Sequence, residues 1–184
     1  MFAAALLFAS RGAVAGVALT DNEDGAHRTP DIHWPRGFTP EDADLFAHND
    51  ITIDAPCSVV WQHLIAAPAW PSWYANAHDV IVHGQPADRL SKGARFEFVT
   101  FGLHFDAKVA EFVPNRRLAW FGNGKGNDAY HPWLLQSVGH ACHVTTEEVA
   151  KGPGAVALRE RDKDAMHKGH DLWLKGLKDV SERQ

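Results

Sequence analysis

The chain has 184 residues, a length close to that of one domain, and its 45% hydrophobic and 22% charged residues are ordinary for a globular protein. The net charge of −5, with no local cluster of Lys and Arg, argues against nucleic acid as a partner. Seven Trp and ten Phe are many for this length and provide aromatic surface that can line a cavity.

The N-terminal residues resemble a cleaved leader. An apolar run at residues 2–9 precedes small residues suited to signal-peptide cleavage, although no Lys or Arg stands before the run. Residues 1–19 are therefore predicted to be a leader or truncated signal peptide. A periplasmic or secreted protein is expected if it is a signal peptide, and a cytoplasmic one otherwise. The run is well short of the ~20 residues of a spanning helix, so no integral membrane segment is expected.

Changes in composition divide the rest of the chain. Residues 20–44 are rich in Asp, Asn, Gly, Pro and His and have no apolar period, which predicts an extended N-terminal arm over the surface. Residues 45–184 are predicted to form one folded domain. Within it, residues 49–54 alternate as a half-buried strand does, and apolar spacing predicts a helix over residues 56–66 that Pro68 ends.

The segment APAWPSWY (67–74) follows that helix and is predicted to form a second, short helical turn. From residue 78 onward, six segments rich in β-branched and aromatic residues are separated by Gly, Pro or Asn, which predicts an antiparallel meander after the first strand. Residues 156–183 return to a helical period and are predicted to be one long amphipathic helix. Its apolar stripe must be buried, and the concave face of the sheet is the surface available for it.

The two cysteines, Cys57 and Cys142, cannot form a zinc site by themselves and are too few for a disulfide framework. They are predicted to be buried free thiols. A single bridge between them is the alternative if the protein is exported.

Several segments together resemble a known family, and they span residues 49–180. These segments are ITIDAPCSVVWQHLI, APAWPSWY, LSKGARFEFVTFG, VAEFVPNRRLAWFG, AYHPWLLQ, HVTTEEVAKGP and GHDLWLKGLK. In these segments and in the order of its elements, the chain resembles the helix-grip fold of the START-like superfamily, in particular its bacterial SRPBCC branch labelled polyketide cyclase or dehydrase-like. The resemblance implies an α+β fold: a seven-stranded curved antiparallel sheet wrapped around a long C-terminal helix, with two short helices after strand 1.

Such a fold leaves a cavity between the sheet and the C-terminal helix, and pockets of this kind are apolar with a few placed polar groups. The resemblance therefore implies binding of an apolar or aromatic small molecule, lipid- or polyketide-like. Cyclase or dehydratase activity is left open, and the alternatives are a non-catalytic carrier or sensor and a co-chaperone-like interaction module. No cofactor is expected, because the sequence has neither a Walker nor a dinucleotide-binding motif. The oligomeric state is open.

Alternation along the strands and the stripe of the last helix indicate which side chains face this cavity. The segment 67–74 is placed at its open end, where a lid would lie. The ligand-binding residues predicted on these grounds are Trp73, Tyr74, Phe96, Phe98, Thr100, Phe105, Trp120, Trp133, His170 and Trp173.

His131 is the main candidate for catalysis, because an imidazole among aromatic side chains can donate, accept or shuttle a proton near neutral pH. Tyr130 is the candidate to assist it, although alternation points its side chain the other way.

Glu147 and Glu148 are adjacent in a predicted strand, so one of them must face inward. A carboxylate there could act as a base with a raised pKa, or could pair with Arg95 or Arg117. The ion pair is the preferred interpretation.

Twelve histidines raise the question of a metal site. His167 with His170, and His140 with His143, have the spacing of two ligands, but neither pair has an acidic or thiolate third ligand at a recognised spacing. No metal site is predicted.

Overall fold

The computed structural model describes residues 23–183, so the predicted leader lies outside the described residues. These residues form one seven-stranded antiparallel sheet in the order β1-β7-β6-β5-β4-β3-β2. Strands β2 to β7 are a meander of sequence neighbours, as predicted, and β7 pairs in addition with β1. The strands are β1 (Leu45–Ile53), β2 (Ala77–His83), β3 (Arg95–Thr100), β4 (Leu103–Val113), β5 (Arg117–Gly124), β6 (Asn127–Val138) and β7 (Ala141–Lys151).

The helices confirm the α+β helix-grip architecture. The part of the chain that the structure describes contains α1 (Asp24–His27), α2 (Cys57–Ile65), α3 (Pro153–Arg161) and α4 (Ala165–Ser181), with a 3-10 helix at Ala67–Ser72 after α2. Helix α4 buries Met166, Trp173 and Leu177 against the sheet, as the apolar stripe predicts. None of the helices between residues 23 and 183 has the length and apolar character needed to cross a membrane.

The prediction of one continuous C-terminal helix is wrong, because the chain breaks between α3 and α4. Asp162 leaves the helical conformation, and its carboxylate accepts a hydrogen bond from the backbone N–H of Asp164 at 3.0 Å. Local side-chain hydrogen bonds of this kind compete with helix continuation. Helices on both sides of the break contribute to the cavity wall, with Ala155 and Leu158 from α3 and Met166 and Trp173 from α4.

The aromatic segment 67–74 fastens α4 to the sheet. Trp70 is fully buried, donates its indole N–H to the carbonyl of Leu64 at 3.0 Å, and packs edge-on against Trp173 of α4 at 5.0 Å between ring centroids. Tyr74 stacks on the same Trp173 ring at 4.4 Å. A Cβ at Gly176 would lie 2.2 Å from a backbone oxygen in this segment, so glycine is required for this close approach.

The N-terminal arm lies across the outer face of the sheet, opposite α4. Trp34 packs edge-on against Tyr130 of β6, with ring centroids 5.9 Å apart. Phe38 contacts Phe121 of β5 at 5.3 Å in the same way. The arm therefore covers the middle of the outer face.

Glu147 points to this outer face and is fully buried there. Its carboxylate accepts a hydrogen bond from the backbone N–H of Thr29 in the arm and contacts His48 Nδ1, both at 2.7 Å. Burial alone would lower the pKa of His48, but the carboxylates of Glu147 and Asp50 together raise it above its ordinary value.

Cys57 and Cys142 form a disulfide, so the expectation of free thiols is wrong and the alternative of a single bridge holds. The bridge joins the start of α2 to β7 across a sequence separation of 85 residues. Both cysteines are buried. A bridge of this span restricts the unfolded chain over most of the sheet.

We predict that replacing both cysteines, Cys57→Ser with Cys142→Ser, lowers the free energy of unfolding by about 2–4 kcal/mol. The reason is the conformational entropy that the unfolded chain regains. Equilibrium urea denaturation without reductant measures the difference. Dithiothreitol should lower the stability of the wild type and leave the double variant unchanged; a wild type that is insensitive to reductant would contradict the prediction.

Candidate functional site

A cavity lies between the concave face of the sheet and helices α3 and α4. It is narrow, with about 50 Å³ open to the centre of a water molecule. Most of its wall is apolar or glycine, and its polar groups are few. The wall consists of Leu45, Phe98, Phe101, Leu103, Phe105, Trp120, Gly122, Ala129, Ala150, Ala155, Leu158, Met166 and Trp173, together with the polar residues Thr100, Asn127, His131, Glu148 and His170.

Most of the predicted ligand-binding residues reach this cavity, because strand alternation and the helical stripe give their direction correctly. Periodicity alone does not identify Phe101, Asn127 or Ala129 as part of the wall, and it leaves open whether Glu147 or Glu148 faces inward. The predicted residues that line it are Phe98, Thr100, Phe105, Trp120, His131, His170 and Trp173.

Four other predicted ligand-binding residues lie outside the wall. Phe96 and Trp133 face the same side of the sheet but belong to the packed core, where Phe96 contacts Trp70 and Trp133 contacts Trp173. Tyr74 also lies in that core, stacked on Trp173. Trp73 packs against α4 at Gly176. These side chains pack against the residues that line the cavity or against α4, and do not line the cavity themselves.

The structure does not bring Tyr130 to the cavity. Successive side chains of a strand point to opposite faces, so His131 faces the cavity while Tyr130 packs beneath Trp34 on the outer face. Burial raises the pKa of Tyr130 to about 12. Its phenol therefore cannot assist proton transfer at His131.

Glu148 brings a carboxylate into the cavity wall. It alternates with Glu147 along β7, so its side chain points inward and is 17% exposed. Its Oε2 atom lies 2.9 Å from His170 Nε2 and 3.3 Å from His131 Nδ1. The expected ion pair of the inward-facing carboxylate with Arg95 or Arg117 is wrong, because His131 and His170 contact it instead.

The hydrogen bonds around His131 determine where its proton lies. The hydroxyl of Thr146 donates to the carbonyl of Pro132 at 3.1 Å, so it must accept a hydrogen bond from His131 Nε2 at 2.8 Å. Burial, and then the nearby His170, hold the pKa of His131 well below its ordinary value. His131 is therefore neutral, with the proton on Nε2 and an unprotonated Nδ1 directed at Glu148.

The surroundings of His170 determine its proton in the same way. The side-chain amide of Asn49 donates to the carbonyl of His167 at 3.1 Å and to the carboxylate of Asp171 at 2.8 Å. That orientation leaves Asn49 Oδ1 as an acceptor, 3.2 Å from His170 Nδ1. His170 therefore donates from Nδ1, and its Nε2 is directed at Glu148.

We call His131, Glu148 and His170 the polar corner of the cavity. The two imidazole rings stack, with centroids 4.7 Å apart and planes 26° from parallel. In each ring, one nitrogen donates its proton to Thr146 or Asn49. The other nitrogen of each ring faces the same Glu148 oxygen, and these hydrogen bonds assign no proton to it. The corner can therefore accept a proton, bind a cation or bind a polar group of a ligand.

Phe101 separates the cavity from the solvent. It is the first residue of the two-residue turn between β3 and β4, with φ 52°, and Gly102 follows with φ 74°. Its ring lines both the cavity and a surface groove beside α4. The Phe101 N–H donates to Asn76 Oδ1 at 3.2 Å, and the Asn76 amide donates to the hydroxyl of Tyr74 at 3.0 Å. The segment after APAWPSWY thus holds the turn in place.

Comparison with known proteins gives structural neighbours. The chain is similar to a hypothetical protein from Helicobacter pylori, with 32% identity and a TM-score of 0.77 over 84% of this chain and 98% of that one. It is similar in fold to a START superfamily protein from Mycobacterium smegmatis (10% identity, TM-score 0.60, 75% of this chain and 97% of that one). Truncated norcoclaurine synthase from Thalictrum flavum is also similar in fold, with 10% identity and a TM-score of 0.58 over 76% of this chain and 94% of that one. No family model and no curated protein matches the sequence.

We predict that the effect of Gly169→Ala depends on Phe101. A Cβ at Gly169 would lie 2.3 Å from Phe101 Cζ, so the new methyl must displace the ring. In the wild type we expect the substitution to cost about 1 kcal/mol of stability through overpacking. In a Phe101→Ala background it should instead add about 1 kcal/mol, the ordinary preference for Ala over Gly within a helix. Urea denaturation of the four proteins measures both effects; the same sign in both backgrounds would contradict the prediction.

Proposed function

Because this chain has the helix-grip fold of the START-like (SRPBCC) superfamily, we propose that it binds a small apolar or aromatic molecule between the sheet and α4. The observation that carries the proposal is the cavity itself, which has an apolar wall and a single cluster of titratable groups. Small-molecule sites have this composition, because apolar surface provides affinity and a few polar groups fix orientation.

The wall indicates the chemistry of the ligand. Among the described residues that line the cavity, none is Lys or Arg, so an anionic head group would have no fixed positive partner. The polar corner instead suits a neutral oxygen function, such as a phenol, alcohol or carbonyl. A lipid- or polyketide-like molecule with an apolar body and one such group fits both parts of the wall.

The size of the cavity indicates that it must open to admit this ligand. A single water needs only about 10–15 Å³ in the same measure, so the 50 Å³ present accommodates a small group rather than a ring system. Phe101 is the side chain whose movement would join the cavity to the surface groove. We propose that the turn carrying Phe101 moves outward when the ligand enters.

A catalytic role, as a cyclase or dehydratase, is the second candidate. It is favoured by the unprotonated Nδ1 of His131 inside a largely apolar cavity, where a neutral imidazole can accept a proton from a bound ligand. A carrier or sensor would need only the cavity. The interaction-module alternative gains no support from the outer face of the sheet, which Trp34 and Phe38 of the arm cover.

We predict that the protein purified without detergent retains a small molecule of low polarity. Native mass spectrometry should show a mass added to the folded chain, and an organic extract should release the same molecule. A 1:1 stoichiometry is expected, because one cavity is involved. If gentle and denaturing spectra give the same mass, and added 1-naphthol does not bind either, the ligand-binding proposal fails.

We predict that filling the cavity weakens binding of 1-naphthol, a bicyclic phenol with one oxygen. Ala129→Leu places three additional carbons at the wall and should weaken binding at least about tenfold, a change of ~1.4 kcal/mol. Quenching of tryptophan fluorescence measures binding, because Trp120 and Trp173 line the cavity. Ala87→Leu, at an exposed loop position, is the matched control and should bind like the wild type. Equal affinities for all three proteins would place 1-naphthol elsewhere.

A further inference from the structure

We propose that the polar corner binds one divalent first-row transition-metal ion, held by His131 Nδ1, Glu148 Oε2 and His170 Nε2. Two imidazoles and one carboxylate are a ligand set found in proteins that bind zinc and iron. The three residues come from β6, β7 and α4, so the folded chain and not a local motif brings them together. For this reason the spacing of histidines in the sequence does not predict the site.

The distances suit a metal. One ligand atom from each of the three side chains lies within 4.8 Å of the other two. Ligand atoms about 2.0–2.1 Å from a tetrahedral Zn²⁺ are about 3.3–3.4 Å apart. The carboxylate oxygen is 3.3 Å from His131 Nδ1 and 2.9 Å from His170 Nε2, and both distances are close to that spacing.

The outer hydrogen bonds of both histidines are those of metal ligands. A metal-binding histidine typically donates its other ring N–H to a fixed acceptor, which sets the tautomer and the ring orientation. Thr146 provides this acceptor for His131, and Asn49 provides it for His170. Each acceptor is itself fixed, because the Thr146 hydroxyl and the Asn49 amide donate to other groups.

Protons alone satisfy this arrangement poorly. A proton on His170 Nε2 gives a good contact with Glu148, but the Nδ1 lone pair of His131 then still faces the same carboxylate oxygen at 3.3 Å. A second proton, on the carboxylate, would satisfy that contact and leave a net positive charge in an apolar cavity, which is costly. One divalent cation satisfies all three lone pairs at once.

The donor types also select among metals. Two nitrogen donors favour zinc, iron, nickel or copper over magnesium and calcium, which prefer oxygen ligands. Three protein ligands would leave a coordination position open towards the cavity, as in catalytic zinc sites. An oxygen of the bound small molecule would take this open position if the proposed function is correct. Binding of the metal itself does not depend on the proposed function.

A second cluster of potential ligands provides a matched control. Glu97, His104 and Asp106 lie together on β3 and β4, where His104 Nε2 is 2.8 Å from Glu97. His104 is half exposed and the cluster faces solvent. Its ligands are not held by buried acceptors, so it tests whether any nearby group of histidine and carboxylate binds the metal.

The test is calorimetric titration of ZnCl₂ into the full-length protein after treatment with EDTA, prepared without a histidine tag. We expect one Zn²⁺ per chain in the wild type and in His104→Ala. Glu148→Gln and His170→Gln should each weaken binding at least about tenfold. Near-ultraviolet circular dichroism, which reports the packing of the tryptophans, verifies that each variant is folded. Wild-type affinity in both cavity variants would overturn the proposal.

A measurement on the wild type keeps the proposal testable if the variants do not fold. X-ray absorption at the zinc edge of the 1:1 complex should show nitrogen and oxygen neighbours including two imidazoles and no sulfur. No stoichiometric binding, or a spectrum with fewer than two imidazoles, would overturn the proposal. Titration of 1-naphthol in the presence of EDTA tests the cavity separately, so failure of the metal site and failure of ligand binding give different results.

Discussion

The contact between Glu148 and two histidines within an apolar cavity is the interaction around which the functional site is organised. A carboxylate in such surroundings requires a proton or a cation beside it, and the two ring nitrogens that face Glu148 are the groups that can hold one. Thr146 and Asn49 determine the tautomers, so both rings turn a nitrogen to the same oxygen. The polar corner is thus set by hydrogen bonds that lie outside the cavity.

The fold holds this corner in position through aromatic packing rather than through charge. His131 is on a central strand beneath Trp120, and His170 is on α4 one turn before Trp173. Trp70 contacts both of these tryptophans, at 5.7 and 5.0 Å, and so fixes the helix relative to the sheet. The short segment APAWPSWY is therefore a structural anchor whose displacement would separate the two histidines. Its other end, through Tyr74 and Asn76, holds the turn that closes the cavity.

The periodicity of the sequence predicts which side chains of a strand or helix point towards the cavity. Alternation in β3 places Phe98 and Thr100 in the wall, and helical spacing places His170 and Trp173 opposite them. Alternation also showed that only one of the two adjacent glutamates could face inward. It could not show which one, or that its partners would be histidines from β6 and α4.

The features that sequence analysis missed depend on contacts between distant residues. Asn49 reaches His170 across 121 residues, and the disulfide joins positions 85 apart, so no local pattern reveals either. The break at Asp162 depends on one side-chain hydrogen bond that helical spacing does not register. Pro132, next to His131 in β6, is a local signal of an irregular strand position, because proline cannot donate to a strand ladder. The hydroxyl of Thr146, which fixes the proton of His131, donates to the carbonyl of this proline.

The most direct test of this account is the tautomer of each histidine in the polar corner. Long-range ¹H–¹⁵N correlation spectra of labelled, metal-free protein at neutral pH distinguish a protonated from an unprotonated ring nitrogen. The account predicts that His131 carries its proton on Nε2, with Nδ1 unprotonated, and that His170 carries a proton on Nδ1. A proton on Nδ1 of His131, or an unprotonated Nδ1 in His170, would contradict it, because the nitrogens directed at Glu148 would then not be the ones that the structure assigns.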